Sequence, residues 1–566
     1  MNDPNVLDYA IAGGGVSGIY CAYRLLQAAG PDGPRPSVAI FEGRGELGGR
    51  LCSVTPPLIP DARVELGGMR YIAKAQPLIT DLVDHLQLAT EPLAADQPQN
   101  IAYLRGRLLR QFQLTDADEV PYQLGPDDRG EEALANLTAT AAMRVLRETI
   151  AELFGKTITQ WKQLTELTAD QWRRIAEEGT WKGTPLSELP LRYLMLEVIS
   201  HEAWNLAQDA SGYDSILHTW SGADGFSWNV GDYGPTVEYL HVTDGYERVP
   251  LEMAQRVQAS GGEIRLNTRL ERFTRDDDGL LTLTLGVDGG TRTVRAKHLI
   301  LAMPRRSLEL IDPVGPVLDP SHAEVRSLIE SVVPIPLFKL AICYERAWWE
   351  DLPPVDAGKG PVRIEKGKSV TDLPVRQCYY WKVDPSNGHA VILIYDDGVA
   401  LDYWAGLRDR HDEPFPHDPD VFDGDFELPD WGEYPAPRRM VEEVHRQLVE
   451  LHGHPADVPA PYTAAYRDWG EDPFGGGANF WPVGVRSYEV AEKMLQPRPP
   501  HPVYVCGDCY SHGQGWVEGA LATAEGVLQQ HLGLGPPPWS SPASDRAGAS
   551  RATPAVAIDH VNVVTH

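Results

Sequence analysis

The chain has 566 residues, of which 42% are apolar and 23% are charged, and its formal net charge is −30. This length exceeds one ordinary domain, and the apolar content is sufficient for a sizeable core shared by two or three domains. The negative charge argues against nucleic-acid backbones and anionic membrane surfaces as partners, because like charges repel.

The beginning of the chain and its cysteines bear on location. The first residues, MNDPNVLDYAIAGGG, lack a basic segment followed by a long apolar one, so we predict no secretory signal. No apolar run approaches the ~18 residues of a membrane-spanning helix. The six cysteines are scattered and predict no disulfide framework. Together these observations predict a soluble cytoplasmic protein.

A glycine-rich turn between two apolar segments is the first motif. Residues 7–12 predict a strand, GGGVSG follows at once, a helical pattern comes next, and a second strand ends at Glu42. Gly13 permits the tight turn, Gly15 lets the backbone approach a pyrophosphate, and Gly18 allows close packing of helix on strand. The helix N-terminus attracts phosphates, and Glu42 is placed to accept the ribose hydroxyls. The segment therefore predicts dinucleotide binding.

After the glycine-rich turn, the chain predicts a helical segment, two β-rich stretches and a final strand followed by a helix. Residues 131–210 predict helices, because apolar residues recur there at three- and four-residue intervals. Residues 261–304 predict strands separated by Asp-Gly and Gly-Gly turns, and residues 336–398 form a second β-rich stretch. Near the end, VYVCGD predicts a strand and ALATAEGVLQQHL a helix. If that last strand joins the first sheet, the domains are discontinuous in sequence.

Two segments after Glu42, GRGELGGRL and VELGGMRYI, complete a resemblance to the flavin amine oxidase superfamily. Within it, the chain is most similar to FAD-dependent L-amino acid oxidases. The resemblance implies an α/β fold with a discontinuous Rossmann-like FAD-binding domain, a mixed-sheet substrate-binding domain and a helical domain. The implied boundaries are 1–75, 235–330 and 460–535 for the FAD-binding domain, 76–130 and 331–459 for the substrate-binding domain, 131–234 for the helical domain, and 536–566 for a flexible tail.

The resemblance also implies the cofactor site. FAD is expected to be non-covalent, because Gly476 stands where covalent relatives carry a cysteine. Asp508 stands where relatives usually have glutamate, and Gln514 where L-amino acid oxidases can have histidine. The implied FAD-binding residues are Gly13, Gly15, Val16, Ser17, Gly18, Glu42, Gly43, Gly49, Arg50, Gly67, Gly68, Met69, Arg70, Leu270, Asp508, Gly515, Trp516, Val517 and Ala520.

Four residues are implied in substrate binding or catalysis. Arg70 matches the arginine that grips the substrate carboxylate, and Tyr395 matches the tyrosine that contacts it a second time. Lys339 matches the lysine that holds a water near flavin N5, and Trp516 forms an aromatic wall. The resemblance therefore implies catalytic roles for Lys339 and Trp516. Gly477 is expected to widen the pocket.

The implied reaction is oxidative deamination of an L-amino acid by hydride transfer from Cα to flavin N5. Oxygen reoxidises the flavin, and the products are a 2-oxo acid, ammonia and hydrogen peroxide. An amino acid 2-monooxygenase and an amine or polyamine oxidase remain alternatives on the same scaffold, and a binding module without turnover is a third. No general base stands out, so His201, His218 and His241 are candidates only.

The sequence Cys506-Gly-Asp-Cys509 suggests thiol redox chemistry or a metal site at first sight. A redox pair normally begins a helix, and zinc needs two further ligands. We therefore expect neither function, and no metal. The expected partners are an L-amino acid and oxygen; a homodimer is one candidate assembly.

Overall fold

The computed structural model describes residues 6–28, 34–218, 220–232, 237–358, 360–408, 413–418, 421, 430–471 and 473–541. Two seven-stranded sheets dominate these residues. The predicted tail lies outside the described residues from position 542 onward. Within the described part of the chain, every helix is too short or too polar to cross a membrane.

The first sheet begins with the predicted strand–turn–helix–strand unit. Val6–Ala12 and Val38–Phe41 are parallel strands joined through the helix Val16–Ala28. A Cβ on Gly18 would come within 2.1 Å of the Gly13 carbonyl oxygen, so only glycine allows this approach of helix to strand. The predicted strand–turn–helix–strand unit is confirmed, and so is the prediction that Gly18 allows close packing of helix on strand.

The chain leaves the first sheet and returns to it. Val503–Val505 lies parallel to Gly290–Leu301, with Val503 opposite Leu299, as the sequence suggested for a last strand that rejoins. The domain boundaries themselves stay a prediction. In spatial order the strands are Glu263–Arg265, Val38–Phe41, Val6–Ala12, Gly290–Leu301, Leu281–Val287 and Arg269–Arg275, with Val503–Val505 beside Gly290–Leu301.

The second sheet presents two different faces. Lys339 lies opposite Tyr395 on the antiparallel neighbour, and Leu337 opposite Asp397. Because side chains alternate along a strand, these four share one face. Apolar residues of the other face pack with the helix Arg438–Leu451. In spatial order the strands are Thr463–Asp468, Leu337–Tyr344, Ala390–Asp397, Gln377–Val383, Gly367–Thr371, Ile101–Leu104 and Arg107–Arg110.

The predicted helical segment is confirmed, with one break. The helical pattern over 188–207 divides into two helices, because Ser200 begins a new one by accepting a hydrogen bond from the Ala203 amide. The helices of the segment are Glu131–Ala135, Leu137–Phe154, Ala169–Glu178, Leu191–Leu196, His201–Ser211 and Gly222–Asp232.

Shorter elements connect these parts. The remaining helices are Pro77–Leu86, Arg248–Ala259, Arg305–Glu309, Gly315–Leu318, Ala323–Ile329, Leu401–Trp404, Ser487–Leu495 and Val517–Gly526. The remaining strands form small sheets: Ser53–Val54 with Val64–Glu65; Tyr71–Ile72 and Thr90–Pro92 with Tyr239–Val242; Thr180–Trp181 with Thr184–Pro185; Val333–Ile335 with Ala478–Phe480; and Val355–Asp356 with Pro361–Val362.

Candidate active site

A cavity of about 360 Å³ is lined by residues of both sheets and of the helical segment. All predicted FAD- and substrate-binding residues belong to the described ranges. Of these, only Gly18 is outside the lining, because it packs against the first strand of the sheet. The predicted residues that line the cavity are Gly13, Gly15, Val16, Ser17, Glu42, Gly43, Gly49, Arg50, Gly67, Gly68, Met69, Arg70, Leu270, Lys339, Tyr395, Gly477, Asp508, Gly515, Trp516, Val517 and Ala520.

Bare backbone forms one end of this cavity. Two glycine segments lie side by side there, and the Gly48 amide donates to the Gly14 carbonyl over 3.0 Å. Glu42 closes the turn by accepting hydrogen bonds from the amides of Gly14, at 2.6 Å, and Arg44, at 2.8 Å. Burial raises the pKa of the Glu42 carboxyl above its usual range. Its oxygens keep further lone pairs for ribose hydroxyls.

Arg50 and Asp508, which both line the cavity, form an ion pair. Arg50 also donates to the Gly477 carbonyl over 2.8 Å, and Asp508 accepts from the Gly515 amide over 3.1 Å. The pair therefore joins three glycine-containing segments that are far apart in sequence. A Cβ on Gly515, which has φ +81°, would meet no atom within 4 Å, so the cavity is open at this point.

These features fit FAD. A bare helix N-terminus suits the pyrophosphate, and an acid at the end of the second strand suits the ribose. Arg50, Asp508 and the open backbone at Gly515 continue the cavity toward the second sheet.

The buried arginine Arg70 lies at the substrate end. Its side chain is only 6% exposed, and its guanidinium carbon stands 3.9 Å from the centre of the Tyr239 ring. The ring face supports a cation and holds the guanidinium plane in position. Tyr395 lines the same cavity from the second sheet. The lining of this end of the cavity thus contains both a guanidinium and a phenol hydroxyl.

Aromatic side chains from the helical segment complete the substrate end, and the sequence did not identify them. Trp228 lies 6.5 Å from Trp516 between ring centres, and Tyr213 stands edge-on to Tyr395 at 5.4 Å. Trp228 donates to the Gln514 carbonyl over 3.2 Å, which fixes it beside Trp516. These rings form walls suited to an apolar or flat substrate side chain.

Gly477 has a structural explanation other than a wide pocket. Its φ is +59°, and a Cβ there would come within 2.0 Å of the Ile335 carbonyl oxygen. Glycine is therefore required by the approach of two backbone segments. The expectation that its missing side chain widens the pocket stays a prediction. The close backbone contact alone explains why residue 477 is glycine.

The candidate histidines and cysteines do not line the cavity. His201 is exposed, His218 stands edge-on to Trp204 at 5.2 Å, and the Nε2 atom of His241 lies 2.8 Å from Glu91. Cys506 and Cys509 are buried, and burial raises the pKa of the Cys509 thiol.

Lys339 is a buried lysine on the cavity face of the second sheet. It is 3% exposed, and its Nζ donates to the Gly67 carbonyl over 2.5 Å. Burial lowers the pKa of Lys339 to about 7, although nearby Glu65 opposes the shift. Burial in turn raises the pKa of Glu65 to about 8. Burial therefore favours the uncharged form of each of the two groups.

We expect the Lys339→Met variant to be more stable than the parent at and below about pH 7, by about 1–3 kcal/mol. The unfolded lysine keeps its proton up to about pH 10.5, whereas the folded one loses it above about 7. The folding penalty for burying the charge is thus full below pH 7 and disappears as the pH rises to about 10.5. Unfolding by urea at several pH values measures this difference.

Lys382→Met is the matched control for that experiment, because Lys382 is exposed on a strand of the same sheet. Its effect on the free energy of unfolding should stay within about 0.5 kcal/mol at every pH. A stability difference for Lys339→Met that does not shrink between pH 7 and 10 contradicts the buried-charge explanation.

The matching family model, described as "Flavin containing amine oxidoreductase", covers residues 16–413. The chain belongs to this family, and FAD is its cofactor. It is 28% identical over 561 residues to Aplysianin-A of Aplysia kurodai, covering 93% of this chain and 90% of that protein. It is 26% identical over 175 residues to L-amino acid oxidase Bs29 of Bothriechis schlegelii, covering 31% and 32%.

A solved structure shares the fold. A triple mutant of putrescine oxidase, made in a structure-based redesign of cofactor binding, superposes with a TM-score of 0.62 at 17% identity, covering 93% of this chain and 98% of that one. The predicted α/β fold with mixed sheets and helices is confirmed.

Proposed function

We propose that this protein oxidises L-amino acids to 2-oxo acids and releases ammonia and hydrogen peroxide. The observation that carries the proposal is the buried Arg70 guanidinium, which lies over Tyr239 and lines the same cavity as Tyr395. A guanidinium presents a planar fork of donors, and a carboxylate fits that fork with both of its oxygens. The relatives named L-amino acid oxidases support the same activity.

The side chains of the cavity bind and orient the substrate. Arg70 holds the carboxylate, and Tyr395 offers a hydroxyl to the polar end of the molecule. Trp516 and Trp228 enclose the side chain and exclude water. This anchoring restricts the orientation of Cα–H, and such positioning lowers a barrier by several kcal/mol. FAD, when bound, supplies the redox chemistry by accepting a hydride and passing electrons to oxygen.

The test is a panel of L-amino acids, D-amino acids and amines with purified protein. We expect equimolar hydrogen peroxide and ammonia from L-amino acids, with the 2-oxo acid as the organic product. An amide of one carbon fewer, identified by mass, would indicate a monooxygenase instead. Turnover of amines alone would overturn the proposal.

FAD should be released when the protein is denatured by acid. Gly476 has no side chain to which the flavin could be covalently attached, and Arg50 and Asp508 would hold FAD only through their charges. We expect all flavin absorbance in the supernatant after acid precipitation. Flavin that stays with the pellet would show a covalent link and contradict the expectation.

Two further features remain predictions from the sequence. They are the cytoplasmic location and a homodimer as a candidate assembly.

A further inference from the structure

Asp397 is a buried acid that lines the cavity two residues after Tyr395. It is 2% exposed, and its carboxylate accepts three hydrogen bonds. The donors are the Asp214 amide at 2.8 Å, the Ser215 hydroxyl at 2.5 Å and the Tyr395 hydroxyl at 3.2 Å. Tyr395 and Asp397 share a sheet face because they are two residues apart on one strand.

The protonation of Asp397 controls the single proton of the Tyr395 hydroxyl. An ionised carboxylate only accepts hydrogen bonds, so Tyr395 must donate to it and can present only lone pairs to the cavity. A protonated Asp397 can donate in its turn, and the Tyr395 proton is then available to a ligand. A substrate carboxylate needs that proton, because it too only accepts hydrogen bonds.

We propose that Asp397 sets whether the Tyr395 hydroxyl donates or accepts toward the substrate, and thereby how tightly the site holds a carboxylate. This inference rests on the proposed function, which places the substrate carboxylate at Arg70 and Tyr395. Asp397 is a positioning residue, since it acts through Tyr395. Carboxylate affinity should fall as the pH rises and Asp397 ionises.

The surroundings of Asp397 raise the pKa of its carboxyl. Burial raises the pKa of the carboxyl, and the nearby Asp214 raises it further, while the donated hydrogen bonds lower it. Arg376 is partly neutralised by Asp214, with 3.1 Å between Nε and Oδ1. The titratable and charged groups around Asp397 are Asp214, Tyr213, Arg376, Asp396, Tyr395 and, on the same sheet face, Lys339.

The test uses the FAD-loaded protein and propionate, a carboxylate without an amino group. Its dissociation constant is measured from the change in flavin absorbance, from the lowest to the highest pH at which the protein stays folded. In the parent we expect a rise of at least about tenfold, the effect of losing one hydrogen bond to a charged group. In Asp397→Asn, which carries no titrating charge, we expect less than about a twofold change.

Two control variants separate Asp397 from its neighbours. Ser215→Ala removes a different hydrogen bond to the same carboxylate and should keep the rise, moved to higher pH, because the charged form loses a donor. Lys339→Met removes the buried lysine of the same sheet face, whose pKa is lowered to about 7, and should keep the Asp397-dependent rise. Tyr395→Phe should bind propionate weakly at every pH.

Each outcome decides the inference. A rise in the parent that is absent in Asp397→Asn supports it. A rise that persists in Asp397→Asn, a parent without any rise, or no measurable propionate binding in an enzyme that oxidises L-amino acids would overturn it. Failure of the proposed function is a separate result: the parent would then oxidise no L-amino acid at all.

Discussion

The Arg70→Met variant should lose about 10²- to 10⁴-fold in kcat/KM for L-amino acids, because a buried carboxylate left without its partner costs about 3–5 kcal/mol. The loss should fall mainly on KM, since Arg70 binds a group that does not react. FAD should stay bound, because the nucleotide end of the cavity is formed by other residues. Steady-state kinetics and the flavin spectrum measure both effects.

Arg105→Met is the matched control for this variant. Arg105 also stacks on a tyrosine, with 4.0 Å from its guanidinium carbon to the Tyr122 ring centre, but it lies outside the cavity lining. Its kcat/KM should stay within about twofold of the parent. An unchanged KM in Arg70→Met would remove Arg70 from the carboxylate site.

The Gly18→Ala variant should lose bound FAD and about 3 kcal/mol of stability. The new Cβ would stand 2.1 Å from the Gly13 carbonyl oxygen and 3.0 Å from the Ala302 Cβ, and backbone at this contact has no room to yield. Displacing the helix moves its N-terminus away from the pyrophosphate position. Flavin content after purification and urea unfolding measure the two losses.

Gly130→Ala provides the comparison for Gly18→Ala. Gly130 precedes a helix with an ordinary φ of −70°, and a Cβ there would meet no atom within 4 Å. It should bind FAD like the parent. Full flavin content in Gly18→Ala would show that the close approach of helix and strand is not needed for the cofactor site.

The nucleotide end of the site could be predicted from sequence because its determinants are local. The turn, its glycines and Glu42 lie within 30 residues of one another, and their spacing follows from strand–turn–helix geometry. The rejoining strand Val503–Val505 was also foreseeable, because a short apolar run before a glycine is typical of such sheets.

The substrate end was only partly foreseeable because it is assembled from distant segments. Tyr213 and Trp228 come from the helical segment, where aromatic residues are usually packed in a core, so nothing local distinguished them. Asp397 carried a usable signal: an acid two residues after a candidate tyrosine on a strand must share its face. The orienting contacts of Asp397 with Ser215 depend on tertiary packing, which no spacing reveals.

The central claim is that the cavity selects a carboxylate beside the reacting carbon. The most direct measurement is the ratio of kcat/KM for an L-amino acid to that for the amine formed by its decarboxylation. We predict a ratio of at least about 10² in the parent that falls toward 1 in Arg70→Met, since the amine has no group for Arg70 to bind. A parent that oxidises the amine as well as the amino acid, or better, would contradict the claim.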